Sequence, residues 1–411
     1  MAPALPQQAL RAVFMRGGTS KGLVLHQRDL PAAREQWAPI LLAAMGTPDP
    51  HGRQLDGMGG GLSSLSKVCV VGPPTHPEAD VDYTFAQIGV TEASVDYGGN
   101  CGNMSSAIGP FAVDEGLVPA PAMGLATVRI HNTNTGKLIV SRFATQGGRA
   151  AVAGPLALDG VAGTGAPVRL EFRDLAGSRT GRLLPTGQAR QTLQLPDGRA
   201  VEASLVDAGN PCVFVEADAL GLRGTETPTQ LEGDAALMHT LEALRRQASV
   251  AMGLAADEAA AAASRAVPFI GMVARPRPWQ AANGRSFEAS AAHLNVRMLS
   301  SGQVHRAIPV TSALCVAVAC RTLGTLPAAL CTASSGAVTV GHSAGTVMVA
   351  AETDPATGEV RHATLFRTAR RLFQGEVLVP APPLVPSPDG PDTRPPIPSA
   401  APCAGPPMSG Q

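Results

Sequence analysis

Two short stretches of small and apolar residues, one in each half of the chain, constrain the fold more than any other feature. The first runs from Met104 to Glu115, directly after the turn Gly98-Gly-Asn-Cys-Gly-Asn103, and the second from Thr311 to Cys320. Neither has a polar face, so each is predicted to be a helix buried on all sides. Segments typical of strands surround both stretches. The recurrence suggests an internal duplication.

Chain length and composition agree with this organisation. With 411 residues the chain exceeds one ordinary core, so two domains of comparable size are expected. Aromatic residues make up only 3%, whereas Gly (45) and Pro (36) are abundant. This favours many tight turns and short strands packed with small residues.

The charge balance excludes several classes of partner. Lys plus Arg (32) equals Asp plus Glu (32), so no overall field would draw the protein to nucleic acid or an anionic membrane. No apolar run approaches the roughly 18 residues needed to span a bilayer, and the first residues lack the pattern of a signal peptide. We therefore expect a cytoplasmic protein.

Cysteine and histidine spacing gives no sign of a disulfide framework or a metal site. The number of cysteines is odd and no CxxC pair occurs; they stand at positions 69, 101, 212, 315, 320, 331 and 403. The histidines at 131, 293, 305 and 342 lack the spacing of metal ligands. We expect buried thiols, structural histidines, and neither metal nor cofactor.

The turn before the first helix is the strongest chemical signal. It places Cys101 at a helix N-terminus, where unpaired N–H groups and the helix dipole favour a thiolate or a bound carboxylate. A proton donor or base at this position is one interpretation. A buried structural cysteine in a Gly-rich turn is the other.

Lys67 is the second candidate. It follows three serines in five residues and precedes the apolar run Val68-Cys-Val-Val71. A lysine before a strand is usually solvated. If desolvated it could act as a base, whereas bound carboxylates would favour the acid role, so its protonation state stays open.

The Gly-rich turn Arg16-Gly-Gly-Thr-Ser-Lys-Gly22 lies between two predicted strands. It has neither Walker A spacing nor a following helix, which argues against nucleotide binding. Backbone N–H groups with the hydroxyls of Thr19 and Ser20 would suit a carboxylate. A plain strand connection is the alternative.

Several motifs taken together resemble the PrpF family of isomerases, in order from about residue 11 to residue 378. They are Phe14-Met-Arg-Gly-Gly-Thr-Ser-Lys-Gly22, Asp56-Gly-Met-Gly-Gly60, Ser66-Lys67, Gly99-Asn-Cys-Gly-Asn103, Asp207-Ala-Gly-Asn-Pro211 and Gly341-His-Ser-Ala-Gly345. The resemblance implies an α+β fold of the diaminopimelate epimerase type. Two similar domains would each wrap a barrel-like sheet around a central helix, with the active site between them.

The resemblance also implies a division of the chain. A flexible N-terminus would cover 1–10, the first epimerase-like domain 11–205 and the second 206–378, with terminal strands able to cross between domains. A disordered Pro-rich tail would cover 379–411.

The site residues follow from the same resemblance. It implies that Lys67 and Cys101 are the catalytic pair, without a metal or cofactor. The implied substrate-binding residues are Thr19, Ser20, Ser66, Asn100, Gly102, Asn103, Met104, Asn210, Met298, Ser300, Thr311, Ser343 and Gly345.

The implied reaction is proton transfer, a 1,3-allylic or cis-trans isomerisation, on a small unsaturated polycarboxylate such as 2-methylaconitate or methylitaconate. The family leaves 4-oxalomesaconate tautomerase open, and a homodimer is open as well. A non-catalytic tricarboxylate-binding protein assisting an aconitase-like enzyme is a different class. Racemisation by two cysteines would need a thiol facing Cys101, but Cys315 falls inside the second helix.

One position departs from the family pattern. Many relatives have Pro-Lys-Ile where this chain has Pro268-Phe-Ile270, so Phe269 replaces a lysine that could bind a carboxylate. We expect a substrate with one carboxylate fewer, or with an apolar substituent, at that point.

Overall fold

The first part of the chain forms strands that alternate with tight turns. The computed structural model describes residues 7–264, 267–354 and 357–380. The strands of the first part are β1 Gln7–Gly17, β2 Ser20–His26, β3 Lys67–Gly72, β4 Val81–Ile88, β5 Val95–Asp96, β6 Met123–Asn132, β7 Lys137–Gln146, β8 Arg149–Ala150, β9 Leu156–Ala157, β10 Thr164–Gly165 and β11 Pro167–Arg173.

The second part repeats this arrangement and ends in one very long strand. Its strands are β12 Gln191–Gln194, β13 Ala200–Ala208, β14 Asn210–Glu216, β15 Phe269–Ala274, β16 Trp279–Gln280, β17 Ser286–Phe287, β18 Leu294–Ser300, β19 Gln303–Val304, β20 Val338–His342, β21 Gly345–Thr353 and β22 Val360–Pro380.

Among the described residues, helices are fewer than strands. They are α1 Trp37–Met45, α2 Gly102–Asp114, α3 Pro228–Glu232, α4 Ala235–Ala251, α5 Glu258–Ala263, α6 Val310–Ala319 and α7 Leu326–Leu330. Short 3-10 turns add Gln27–Asp29, Arg34–Gln36, Ser63–Leu65, Ala217–Leu220 and Ala289–Ala291. Within the described ranges, none of these helices combines the length and the apolar character needed to cross a membrane.

The strand pairings form two barrel-like sheets that share β22. In the first ring, β1, β2, β3, β4, β6, β7, β11 and β22 pair in succession and β22 returns to β1. In the second sheet the succession is β12, β13, β14, β15, β18, β20, β21 and β22. The predicted α+β class with barrel-like sheets is confirmed.

Each sheet surrounds one of the two predicted buried helices. Helix α2 contacts strands of the first ring on several sides, and ten consecutive residues, from Met104 to Val113, are buried. Helix α6 contacts β13, β14, β21 and β22, and its residues from Ser312 to Ala319 are buried. Small side chains allow the strands to close tightly around both helices.

The two central helices meet at their N-terminal ends. A side chain at Gly102 would have its Cβ only 2.3 Å from Cγ1 of Val310, the first residue of α6. Only glycine permits this approach. The N–H groups at both helix starts therefore lie close to the boundary between the two sheets.

The termini depart from the predicted boundaries. Residues 7–10 were expected to be flexible, but they lie in β1 because they pair with residues 377–380 of β22. For the same reason Val379 and Pro380 belong to a strand and not to the Pro-rich tail, whose residues 381–411 lie outside the described part of the chain.

The division into two domains remains a proposal. The pairings favour a boundary between β11 and β12, because a boundary at residue 206 would pass through β13 and separate β12 from the second sheet. Strand β22 crosses between the two sheets.

Helix α4 packs on the second sheet and contains an ion pair between Arg245 and Glu242, which supports a prediction about stability. Arg245 is fully buried and donates two hydrogen bonds of 2.8 Å to the Glu242 carboxylate. Burial acts to raise the pKa of Glu242, but the hydrogen bonds and charges of Arg245 and Arg246 outweigh it and hold the pKa at about 2. The pKa is lowered on folding, so this stabilisation is present above the model-peptide pKa of about 4.5 and is lost as pH falls towards 2.

Replacing Glu242 by glutamine is expected to reduce the free energy of unfolding at pH 7 by about 1 to 3 kcal/mol, because Arg245 loses its ionic partner. Urea denaturation measures the effect. Glu202→Gln is the matched control: its pair with Arg190 is largely exposed, so a change below about 0.5 kcal/mol is expected. Equal effects of the two substitutions would contradict the prediction.

Candidate active site

Cys101 is the N-cap residue of α2. Its half-buried thiol accepts a hydrogen bond of 3.5 Å from the backbone N–H of Met104. The Ser105 hydroxyl donates to the carbonyl of Cys101 at 3.0 Å and to Oδ1 of Asn100 at 3.1 Å. The thiol is thus held at a helix N-terminus, whose N–H groups favour a negatively charged ligand beside it.

Lys67 is the first residue of β3, and its side chain is 7% exposed. The ammonium group donates to Oε1 of Gln87 at 2.5 Å and lies 5.1 Å from the centre of the Phe85 ring. Strand alternation puts Lys67 on the same face as Cys69, which packs in the core cluster that contains α2. Lys67 therefore lies inside the first ring, on the α2 side.

The buried thiol of Cys69 shows that both candidates lie near it. Burial raises the pKa of Cys69, a negative charge on Cys101 raises it further, and the charge of Lys67 acts in the opposite direction. Lys67, on β3, and Cys101, at the start of α2, therefore both lie near enough to Cys69 for their charges to influence it.

The Gly-rich turn between β1 and β2 packs on the start of α2. Asn103 donates from Nδ2 to the Thr19 hydroxyl at 3.1 Å. Gly18 has φ +54°, and a Cβ there would lie 2.3 Å from Oδ1 of Asn103. Arg16 donates to the carbonyls of Gly18 and Thr368 at 2.9 and 3.0 Å, which fixes the turn to β22. Thr19 and Asn103 are thus brought together, and Ser20 follows as a buried residue. Substrate binding by these three residues stays a prediction.

Asn210 and Thr311 belong to the second part of the chain. Nδ2 of Asn210 donates to the Thr311 hydroxyl at 3.0 Å, next to the contact between Gly102 and Val310. Asn210, Thr311, Asn100 and Gly102 all line one cavity of about 510 Å³ between the two sheets. Four of the predicted binding residues therefore meet there.

Two further predicted residues lie on β18. Met298 is buried in the core, and the Ser300 hydroxyl is 2.7 Å from Nε2 of His305. The His305 ring stacks on Phe269 with 5.7 Å between ring centres, and burial lowers its pKa. His305, expected to be structural, thus contacts both Ser300 and Phe269.

Ser343 and Gly345 lie where β20 turns into β21. Ser343 is buried, and its hydroxyl has no hydrogen-bond partner within the described ranges. Gly345 packs against Asp159, whose carboxylate accepts the Thr346 N–H at 2.6 Å. The neighbouring Gly160 faces the methyl group of Thr19, so this loop links the turn of the first ring to the second sheet.

Ser66 is placed differently from the other predicted residues. Its buried hydroxyl donates to Oε1 of Gln54 at 2.5 Å and to the Leu62 carbonyl at 2.8 Å. Its carbonyl accepts from the Gln87 amide, which in turn holds Lys67. A substrate contact by Ser66 stays a prediction; the contacts observed support Lys67.

Sequence analysis missed two residues of this region, Gln87 and Arg367. Arg367 donates to Oδ1 of Asn103 at 2.9 Å. A signal for it exists, since Ala363, Leu365 and Ala369 alternate on the apolar face of β22 and Arg367 falls on the same face. A buried charged side chain is unfavourable unless it is hydrogen-bonded or paired with an opposite charge, so this position indicates a polar or anionic partner.

Cys315 is buried inside α6, and burial together with the neighbouring Cys212 raises its pKa. A thiol facing Cys101 from the start of α6 is therefore not supplied by this residue. Within the part of the chain that the structure describes, no three His, Cys, Asp or Glu side chains gather as a metal site.

Comparison with known proteins identifies the family. The model of the PrpF protein family matches residues 7–380. The chain belongs to the PrpF family. A crystal structure of methylitaconate Δ-isomerase superposes with a TM-score of 0.84 at 40% identity, covering 92% of this chain and 97% of that one.

Curated relatives within the PrpF family carry several isomerase names. The chain is 41% identical to 3-methylitaconate isomerase of Eubacterium barkeri, covering 91% of this chain and 98% of the relative. It is 36% identical to 2-methyl-aconitate isomerase of Cupriavidus necator (92% and 98%) and 39% identical to 4-oxalomesaconate tautomerase of Pseudomonas putida (91% and 97%). The predicted enzyme class, isomerase, is confirmed. The cytoplasmic location and the homodimer stay predictions.

Proposed function

We propose that this PrpF protein isomerises a small unsaturated di- or tricarboxylate of the methylitaconate or 2-methylaconitate type by proton transfer, with Lys67 and Cys101 as the acid/base pair. The observation that carries the proposal is the placement of both groups on the α2 side of the first ring, one buried on β3 and one at the helix start. Lysine and cysteine can each take up and release a proton.

The chemistry needs only the substrate, the pair and solvent water, which takes the proton from the base and returns one to the acid after each turnover. One group removes a proton from the carbon next to the double bond, and the electron pair spreads over the double bond and the conjugated carboxylate. The other group returns a proton to the far carbon of the allylic unit, or to the same carbon after bond rotation. N–H groups at the start of α2 would stabilise the negative charge of this intermediate.

The second sheet contributes an argument about the substrate. Phe269 and His305 present stacked rings beside Ser300, and the lowered pKa of His305 keeps its ring uncharged at neutral pH. A wall of this kind suits a methyl group better than a carboxylate at that point of the substrate. Methylitaconate and 2-methylaconitate both carry a methyl group that 4-oxalomesaconate lacks, so the wall supports these two acids over 4-oxalomesaconate. The sequence identities alone, between 36% and 41%, do not separate the three.

Proton NMR of the metal-stripped protein in deuterated water tests the proposal. The panel contains methylitaconate, 2-methylaconitate, cis- and trans-aconitate and 4-oxalomesaconate. We expect one of the first two to take up deuterium as it isomerises. Conversion of 4-oxalomesaconate alone would replace the substrate, and no exchange with any acid would favour a non-catalytic binding protein.

Substituting Phe269 by lysine is expected to shift specificity. A cation in the ring wall should lower kcat/KM for the methyl-substituted substrate and raise it for trans-aconitate, changing their ratio by about 10-fold or more. Steady-state kinetics with both acids measures the ratio. Phe269→Leu, which keeps the wall apolar, is the matched control and should leave the preference in place. An unchanged ratio in Phe269→Lys would place this wall outside the binding site.

A further inference from the structure

Arg367 differs from the other buried arginines in what surrounds it. Arg245 is paired with Glu242, and the charge of Glu226 partly offsets the lowering of the pKa of Arg297, to about 10, that burial causes. Arg367 is 8% exposed and has no carboxylate within ion-pair distance among residues 7–264, 267–354 and 357–380. A buried cation without an anion is unfavourable, so the site has a place for one.

The surroundings of Arg367 show where that anion would lie. Its Nε donates to Oδ1 of Asn103 at 2.9 Å and its Nη1 to the Phe366 carbonyl at 3.0 Å. For Nη2 the described residues supply no hydrogen-bond partner. Gly18 makes room for the side chain, because a Cβ there would lie 3.0 Å from Cδ of Arg367. The guanidinium is thus held against the first turn of α2 with one edge still free.

The guanidinium of Arg367 interacts electrostatically with Cys101 at the start of α2 and with His342 in the second sheet. Burial lowers the pKa of Arg367 to about 10, and the opposing influence comes from the Cys101 thiol. The charge of Arg367 also contributes to lowering the pKa of His342, which burial brings to about 4. His342 precedes Ser343, whose hydroxyl is buried and unpartnered within the described ranges. Arg367 therefore lies near enough to both Cys101 and His342 for the charges to influence one another.

We propose that Arg367 binds a carboxylate of the substrate at the start of α2, with Asn103 fixing the guanidinium, so that the reacting carbon is held beside Cys101. This rests on the proposed isomerase function and assigns it a binding residue. A planar guanidinium can offer two parallel N–H groups to a carboxylate. Arg367 donates a hydrogen bond to Asn103, and Asn103 donates one to Thr19. These bonds connect the proposed carboxylate site to the Gly-rich turn.

The test compares protein and substrate truncations together. Methylitaconate and each of its two monomethyl esters are assayed with the wild type, Arg367→Met, Arg367→Lys and Arg370→Met. Arg370 is exposed on the same strand and serves as the control. In the wild type, one ester should lose about 10- to 100-fold in kcat/KM. In Arg367→Met the diacid should fall to the level of that ester, and the ester penalty should nearly vanish.

A structural role alone would lower all three rates by one factor and leave the ester penalty intact, which would overturn the proposal. Arg367→Lys covers the case in which the methionine variant does not fold, and it should show an intermediate penalty. If the wild type turns over none of the acids, the isomerase proposal fails. Thermal stabilisation by the diacid then decides: loss of the stabilisation in Arg367→Met, but not in Arg370→Met, supports the anion site, whereas equal stabilisation or none in the wild type overturns it.

Discussion

Replacing Cys101 by serine is expected to lower kcat by about three orders of magnitude while KM changes little. Serine keeps the size of the side chain and can still accept the Met104 N–H, so the start of α2 should persist. Its hydroxyl, however, ionises far less readily than a thiol and cannot exchange a proton near neutral pH at a comparable rate. Deuterium uptake into the substrate, followed by NMR, measures the loss directly.

A matched control separates this effect from general loss of a thiol. Cys331 is also half-buried, and its pKa is lowered to about 6, chiefly by its contact with Cys320. Cys331→Ala should retain activity. In that background, iodoacetamide should inactivate the enzyme in step with alkylation of Cys101, as mapped by peptide mass spectrometry, and substrate should protect it. Activity that survives complete alkylation of Cys101 would exclude this thiol from the reaction.

Replacing Lys67 by methionine is expected to lower kcat by about 100- to 10,000-fold. The methionine fills the same buried space over Phe85, so the fold should tolerate it, but it can neither give nor take a proton. Lys67→Arg should be nearly as inactive, because a guanidinium keeps its proton at any working pH and is too large for the contact with Gln87. Near-normal turnover by the arginine variant would show that Lys67 supplies charge only.

The control for Lys67 is Lys21, whose ammonium lies 5.5 Å from the Phe14 ring. Lys21→Met should retain at least about half of the wild-type activity, because strand alternation puts Lys21 on the same face as Leu23 and Leu25, whose core cluster contains no residue of α2. Circular dichroism and thermal unfolding of both methionine variants check that the comparison concerns chemistry. If the two variants lost activity equally, the assignment of Lys67 would lose its support.

Local sequence signals predicted the central elements well. The turn ending at Asn103, the buried helix after it and the strand beginning at Lys67 are all observed. The residues from Asp29 to Met45 show a helical pattern that Gly46 and Pro48 end, which predicts a longer helix than the one observed, since α1 begins at Trp37. If the helix began earlier, Pro39 would lie in its interior. Proline has no N–H, so the carbonyl four residues before it would lack its helical hydrogen bond. Helix α2 does contain Pro110 in its interior, so proline disfavours such a position without excluding it.

The site itself was predictable only in part. Cys101, Asn103 and Thr19 lie in motifs with recognisable turns, whereas the contacts of Arg367 and Gln87 depend on which strands become neighbours. One compositional signal was available for Lys67: only positions 21, 67 and 137 are lysines among 32 basic residues. A chain that uses arginine almost everywhere else, and places a lysine before a buried strand, points to a group that must release its proton.

Strand β22 has a consequence for how the protein is made. Residues 369–380 complete the first ring by pairing with residues 7–17, so β1 is synthesised long before the strand that it pairs with. Such distant pairing slows folding, and the open edge of β1 needs protection in the meantime. Arg367 belongs to the same strand. A chain without β22 could therefore neither close the first ring nor place Arg367 beside Asn103.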